Sequence, residues 1–234
     1  MSFFNKFPKY LTRTTKNTQI IITDFFRRVK TIENANNIGV FLLPYLVLDG
    51  ETPERVSYKV YDTPLYHWVI LKVNNIVNPR TEWPIENKLI TTLVFEKYDF
   101  IVTVPDTTKY NEDDIVMSDD DATFVVTQVN DDTVQLRSQV GQTFLTTSSI
   151  LENTTTEETG LTVTAVTDPT EGIHHYLDST HGFIIDYSIS NPNIIPITNY
   201  DYEVQLNDQK RAIKVLDPRY VGQFVRTFQN LIGQ

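Results

Sequence analysis

The chain reads as an α+β protein, a strand-helix-helix core carrying an inserted small antiparallel β block, and three features of its 234 residues point there. Two matched helix starts, Thr52-Pro53 and Thr63-Pro64, fall within residues 45–83, just after a short apolar run. Between residues 99 and 172, β-branched and polar residues alternate between clusters of turn formers, the pattern of half-buried strands. Beyond Asp217-Pro218, the residues Val221, Phe224, Val225, Phe228, Leu231 and Ile232 recur at the spacing of one helical face, with Gly233 as the stop.

The first ten residues, MSFFNKFPKY, hold Phe3, Phe4, Phe7 and Tyr10 in a segment too short and too proline-broken to bury them. They need a surface to dock on, either this chain's own core or a partner. Residues 18–22 predict a strand, and Thr23-Asp24 caps a short helix carrying Phe25, Phe26 and Val29, with Arg27, Arg28 and Lys30 on its solvated face. Residues 44–48 predict a strand that breaks at the turn dipeptide Asp49-Gly50. Each Thr-Pro pair then places a hydroxyl at an N-cap and a proline at the first helical position, where the missing N–H costs nothing. In the first helix Val56/Val60 and Ser57/Tyr61 stack at i,i+4, and Glu54 sits where the helix dipole favours an anion. In the second, Leu65, Trp68, Val69, Leu71 and Val73 wrap more than one face, which predicts a nearly buried helix ended by Asn74-Asn75.

Residues 100–104, 114–118, 123–129, 133–138 and 161–166 predict the strands of the β block, and residues 153–160 (NTTTEETG) a mobile loop. After His175-Tyr176 and residues 183–187 comes a proline-rich loop, and residues 202–206 predict one arm of a hairpin joined by 207–210 to a strand at 211–216, where Ile213 and Val215 share a face.

Charge divides the chain. The net charge is −10, which argues against nucleic-acid binding, but residues 99–172 alone hold 15 Asp+Glu against 2 Lys+Arg while the remainder holds 15 against 18. The middle block is therefore −13 and the body +3. The lack of cysteine excludes disulfides and thiolate chemistry, and no run approaches the length of a membrane span or signal segment. A soluble chain assembled in the cytoplasm, with no membrane partner, is the expectation.

Two resemblances rest on the central residues. The order Tyr45-x-Val47-x-Asp49-Gly50-Glu51-Thr52, then Val56-Ser57-x-x-Val60-Tyr61, then Asn74-Asn75, resembles the start of a LysM module, a small βααβ unit that usually binds peptidoglycan or chitin. The continuation departs from it, with Asn78-Pro79 and Trp83-Pro84 where a LysM closes on a glycine and a strand. A fuller match is to the baseplate wedge proteins of T4-like contractile-tailed bacteriophages. It runs through Asp49-Gly50-Glu51-x-Pro53-Glu54, Tyr61-x-x-Pro64-x-x-x-Trp68-Val69-Ile70-Leu71-x-x-Asn74-Asn75-Ile76 and Glu82-Trp83-Pro84. Upstream it includes Phe4-x-x-Phe7-Pro8 and Thr23-Asp24-x-Phe26-Arg27-Arg28-Val29, and downstream Lys97-Tyr98 and Ile173-His174-His175-Tyr176.

What these resemblances imply is a LysM-like βαα core completed by C-terminal strands. Residues 1–44 form an aromatic arm and helix, 45–98 the LysM-like core, 99–172 an acidic insertion, and 173–234 the hairpin and helix that complete the core. A short helix ends at Lys97-Tyr98. Ile213 and Val215 lie in a strand pairing antiparallel with Tyr45 to Leu48, because RAIKVLDP has the alternation and terminal proline of a closing LysM strand. The implied role is a structural subunit of the virion's tail baseplate, present in several copies of a symmetric assembly, joining other wedge proteins. The alternative is a peptidoglycan-binding LysM protein. Asp49, Gly50, Pro53, Tyr61, Trp68, Asn74, Asn75, Trp83 and Pro84 form the structural core motif. Phe3, Phe4, Phe7 and Tyr10, with Tyr220, Phe224 and Phe228 of the last helix, are the expected partner-binding residues, because both ends carry more apolar surface than a small core covers.

No catalytic constellation stands out. Four histidines are available, and the one cluster is His174-His175 with Asp178 and His181. Neighbours on a strand face opposite ways, so the pair is not expected to converge on a metal. His67 reads as packing, and Asp119-Asp120-Asp121 lacks the spaced oxygen ligands of a calcium loop. There is no phosphate loop, nucleophile elbow or dinucleotide fingerprint, so no enzyme and no cofactor is expected.

Overall fold

A computed structural model describes residues 7–13, 19–24, 41–139, 143–182, 184–185 and 193–233. Phe3, Phe4, the expected helix after Asp24 and most of the segment 183–187 lie outside these residues. The fold is mixed α+β with antiparallel sheets. In chain order come β1 (Lys9–Arg13), β2 (Gln19–Thr23), β3 (Leu42–Leu46), α1 (Pro53–Tyr61), α2 (His67–Val73), α3 (Pro79–Glu82), α4 (Ile90–Lys97), β4 (Phe100–Thr103), β5 (Ile115–Ser118), β6 (Thr123–Val129) and β7 (Thr133–Ser138). Then follow β8 (Ile150–Asn153), β9 (Glu158–Thr162), β10 (Ala165–Thr167), β11 (Ile173–Asp178), β12 (Ile184–Ile185), β13 (Ile194–Thr198), α5 (Asn199–Arg211), β14 (Ala212–Leu216) and α6 (Pro218–Gly233). Two compact units emerge, one of Met1–Pro84 with Asp208–Gln234 and one of Ile85–Asn207.

In the first unit β3 pairs antiparallel with β14, Ile213 opposite Tyr45 and Val215 opposite Leu43. The far strand therefore lies where the sequence analysis places it, shifted by two residues toward the N-terminus of the β3 run. Pro44 is tolerated because it stands opposite Lys214, and at that position the β3 backbone faces away from its partner, so no ladder bond is lost. Helix α1 starts as its sequence dictates: Thr52 Oγ1 accepts the Arg55 N–H at 3.4 Å, Pro53 opens the first turn, and Asp62 closes it in the left-handed region. Val47, Val56, Ile70, Trp83, Ile213 and Val215 form one buried cluster. Burying side chains of this size contributes about 1.5–3 kcal/mol each. A second cluster joins Val69, Leu216 and Val221, and a third joins Phe7, Phe228 and Ile232.

The second helix departs from expectation. Residues Pro64–Tyr66 form a 3-10 turn before α2, and only Val69 and Ile70 of α2 are fully buried, with Leu65 left in solvent. Seven helical residues cannot present all of their apolar positions to one core, so Trp68 and Val73 are only half-buried.

The second unit is built on a seven-stranded antiparallel sheet in the order β10-β4-β7-β6-β5-β8-β9, with β12-β11-β13 as a second, three-stranded sheet. Phe95 of α4 packs with Phe100, Phe124, Leu136 and Leu151 in its core. Residues 153–160 are not a loop but the end of β8, a turn and the start of β9. Asn153 Oδ1 accepts the Thr155 and Thr156 N–H groups at 3.0 and 3.2 Å, an Asx turn that folds the threonines back as a hairpin.

The expected hairpin arm at 202–206 is helix α5 instead. Tyr202, Val204 and Leu206 alternate like a strand, yet the residues that α5 buries are Asn199, Glu203 and Asn207, a polar stripe at i,i+4. A search for apolar periodicity passes over such a helix.

Candidate functional site

The motif residues converge on Glu51. Its carboxylate is buried and accepts from the Tyr45 hydroxyl at 3.1 Å, the Leu48 N–H at 2.8 Å and the Lys59 ammonium. Its backbone carbonyl accepts the indole N–H of Trp83 at 2.7 Å. Burial alone would raise this carboxyl, but the bonds from Lys59, Leu48 and Tyr45 hold it below the ordinary carboxylate range. Gly50, at φ 70°, supplies the left-handed turn that brings the carboxylate back onto the strand. One residue, through its carboxylate and its backbone carbonyl, thus ties β3, α1 and the turn after α3 together.

Asn74 makes a second tie. Its amide donates to the Ile70 carbonyl at 2.8 Å and to the Lys214 carbonyl at 2.7 Å, and its Oδ1 accepts the Lys214 N–H at 2.8 Å. The side chain caps α2 and satisfies the outer edge of β14 as a neighbouring strand would. Asn75 takes the left-handed conformation that ends the helix. Tyr61 donates to the Leu216 carbonyl at 3.0 Å, and burial pushes its hydroxyl up to about 12, so it stays a donor. Asp49 accepts from Arg211 at 3.2 Å, and Pro53 and the buried Pro84 bracket the group. Glu51, Tyr45, Lys59 and Lys214 were not nominated from sequence. The signal was that Tyr45 and Glu51 stand inside the motif string, and nothing marks Lys214 as the partner of an asparagine 140 residues away.

The residues expected to meet partners fall into two groups. Phe7 and Phe228 are buried together with Ile232, and the Trp68 ring lies 4.8 Å from Phe228 and 6.2 Å from Phe224. Tyr220 meets Phe41 edge-on at 4.5 Å. Much of this aromatic surface is covered by the chain itself. Tyr10 is half-exposed and donates to Asp24. Around it the β1–β2 hairpin displays Leu11 (64%), Ile20, Ile21 (70%) and Ile22, and nearby in sequence Leu43, Leu46 and Leu48 are also exposed.

In the second unit the polar stripe of α5 is fully used. Asn199 donates to the Pro169 carbonyl at 2.9 Å, and Glu203 accepts from Lys97 and from the Tyr98 hydroxyl at 2.8 Å. Asn207 exchanges bonds with both backbone groups of Ile85, at 2.8 and 3.0 Å. Tyr98, pushed up to about 12 chiefly by burial and by Glu203, stays protonated. The histidine pair corrects the sequence reading. A register shift between Ile173 and His175 breaks the alternation of β11, and the two imidazoles meet at Nδ1–Nδ1 2.8 Å instead of facing apart. Among the described residues no group of three or more His, Asp or Glu is placed to hold a metal ion, and no helix is long and apolar enough to cross a membrane.

Comparison with known proteins follows the same residues. The family described as Base plate wedge protein 53 matches residues 1–132, more than half of the chain, a span that takes in Phe7, the whole Asp49-to-Pro84 motif and Lys97-Tyr98. A search of curated proteins found no match. With its motif positions in order and its fold mixed α+β, the chain belongs to the Base plate wedge protein 53 family, whose members are bacteriophage baseplate components rather than a known class of enzyme.

Proposed function

We propose that the protein joins neighbouring wedge components during baseplate assembly, in several copies of the symmetric virion tail, and that its first unit carries the adhesive surface. The observation that carries this reading is the β1–β2 hairpin. A two-stranded hairpin is marginal by itself in water, yet this one exposes Leu11 opposite Ile21 on one face and Ile20 and Ile22 on the other. Apolar residues grouped in this way on a subunit of an assembly suit burial against an apolar face of another baseplate protein.

The β3-α1-α2-β14 arrangement is read as a LysM-like core turned to scaffolding. Its support is that Glu51, Asn74, Tyr61 and Trp83, the polar and aromatic groups of the motif, are spent on internal hydrogen bonds and not held ready for a sugar. Residues 99–172, at −13, are read as an inserted acidic block that projects from the assembly and repels other acidic surfaces. Phe3 and Phe4, which precede the hairpin in sequence, remain candidate anchors.

The test is a parallel binding assay of the full chain against purified wedge proteins and against peptidoglycan. Co-elution with wedge proteins and no retention on peptidoglycan is expected. Retention on peptidoglycan without co-elution would transfer the function to the glycan-binding reading.

A further inference from the structure

The second unit holds a titratable cluster that the adhesive role does not use. His174 and His175 lie at Nδ1–Nδ1 2.8 Å, and the His174 ring stacks on Tyr202 of α5 with centroids 3.8 Å apart and planes 15° from parallel. His175 meets the same Tyr202 ring edge-on at 5.7 Å. Tyr98, just after α4, meets His174 edge-on at 6.0 Å, and Lys97 at the end of α4 lies over the Tyr98 and Tyr202 rings. Among the described residues, Glu203 on α5 is the carboxylate that acts on His174, and it is already bonded to Lys97 and Tyr98.

We propose that His174 and His175 form a one-proton dyad that latches helix α5 onto strand β11 and releases it in acid. When both rings are neutral, one Nδ1–H donates to the other ring's bare Nδ1. The first added proton enters at the free Nε2 of the donor ring, so the hydrogen bond survives and becomes charge-assisted. The second can enter only at the accepting Nδ1. It removes the acceptor, sets two N–H groups and two positive charges against each other, and adds to the charge of Lys97. The shared ring of Tyr202 is the element that both imidazoles hold, so their separation undoes the stack. Burial, His175 and Lys97 all lower the proton affinity of His174, which agrees with this order. A group held below its ordinary value stabilises the fold above that value and ceases to do so as the pH falls through the lowered one. The latch is therefore closed at neutral pH and opens below the ordinary histidine range. His174 is exposed and His175 half-buried, so the pair can titrate without unfolding.

The test is an NMR titration of the imidazole protons in the full chain, with His174→Phe and His175→Phe, which keep a ring against Tyr202. The wild type should titrate the pair in two steps separated by about one pH unit or more, with amide protection in α5 falling about tenfold across the lower step. In His175→Phe the remaining His174 should titrate once and closer to the ordinary histidine value than in the wild type, though still below it, since burial and Lys97 still act on it, and in His174→Phe the fall in α5 protection should vanish. Superimposable titrations of the two histidines in the wild type would overturn the proposal. So would a His174 titration that does not move toward the ordinary histidine value in His175→Phe. If either variant does not fold, the separation of the two wild-type steps decides alone.

Discussion

The two units solve the same problem of closing a small β structure with opposite use of the chain. In the first, β3 finds its partner β14 roughly 170 residues downstream, and the strand edge beyond β14 is met by a side chain, Asn74. In the second, three of the six pairings in the large sheet, β5–β6, β6–β7 and β8–β9, join consecutive strands, and its helix α5 meets its neighbours with a buried polar stripe. The difference lies in where the polar groups are spent. The first unit uses them at the ends of short elements, one tie each at Glu51, Asn74 and Tyr61. The second spends a row of them along helix α5, at Asn199, Glu203 and Asn207, and others within its sheet, where buried Asn153 donates to Asp114 at 2.6 Å. A discontinuous unit needs such ties because local hairpins do not set its register.

The comparison can be broken most forcefully at the cores. Phe124→Ala in the second unit and Trp83→Ala in the first each remove a buried ring and should cost about 3–5 kcal/mol. If the units are separate cooperative bodies, calorimetry will show only one of two transitions shifting in each variant; a single transition that moves in both would merge them. A related cut replaces residues 85–207 with a short Gly-Ser bridge. Ile85 and Asn207, the ends of that unit, are clasped side by side, so the first unit should fold without it, as read by far-UV circular dichroism, and an unfolded product would contradict its independence.

Glu51→Ala comes next. It strands the Leu48 N–H and leaves the half-exposed Lys59 without its buried partner, and a loss of about 2–3 kcal/mol is expected in chemical denaturation. The pH dependence has the same origin. Because the Glu51 carboxyl is held below the ordinary carboxylate range, its contribution is present above that range and disappears as the pH falls through the lowered value. Wild-type stability in mild acid should therefore drop more steeply than that of Glu51→Gln. Asn74→Ala should cost less, about 1–3 kcal/mol, since the Lys214 backbone groups it frees lie near solvent. A neutral result would mean that water replaces the side chain and that the β14 edge needs no cover.

Legibility in the sequence follows the same division. The strands at 100–104, 123–129 and 133–138 were readable because one face is buried and the other is not, so alternation is preserved in the residues themselves. The helix starts at Pro53 and Pro218 were readable from local capping chemistry. The pairing of β14 with β3 was reached only through the resemblance of RAIKVLDP to a closing strand, because no local signal links residues so far apart. Helix α5 was misread because Asn199, Glu203 and Asn207 are buried for their hydrogen bonds, and hydrophobic periodicity carries no trace of that. The meeting of His174 with His175 was hidden for a further reason: a register shift is a property of two strands, β11 and β13, and the sequence of one cannot reveal it. At the candidate site the motif string was legible, but its role was not, since Glu51 became its centre only when Tyr45, Leu48, Lys59 and Trp83 closed around it.

Adhesion through the exposed apolar hairpin of the first unit is the proposed action of this chain. It is tested most directly by size-exclusion co-elution of Ile21→Asp with the other wedge proteins. Ile21 is 70% exposed, so the substitution leaves the fold intact and places a charge where a partner would have to bury it. A soluble variant with wild-type circular dichroism that elutes alone is expected, while Ile21→Val co-elutes normally. Co-elution of Ile21→Asp at wild-type stoichiometry would contradict it and place the adhesive surface elsewhere on the molecule.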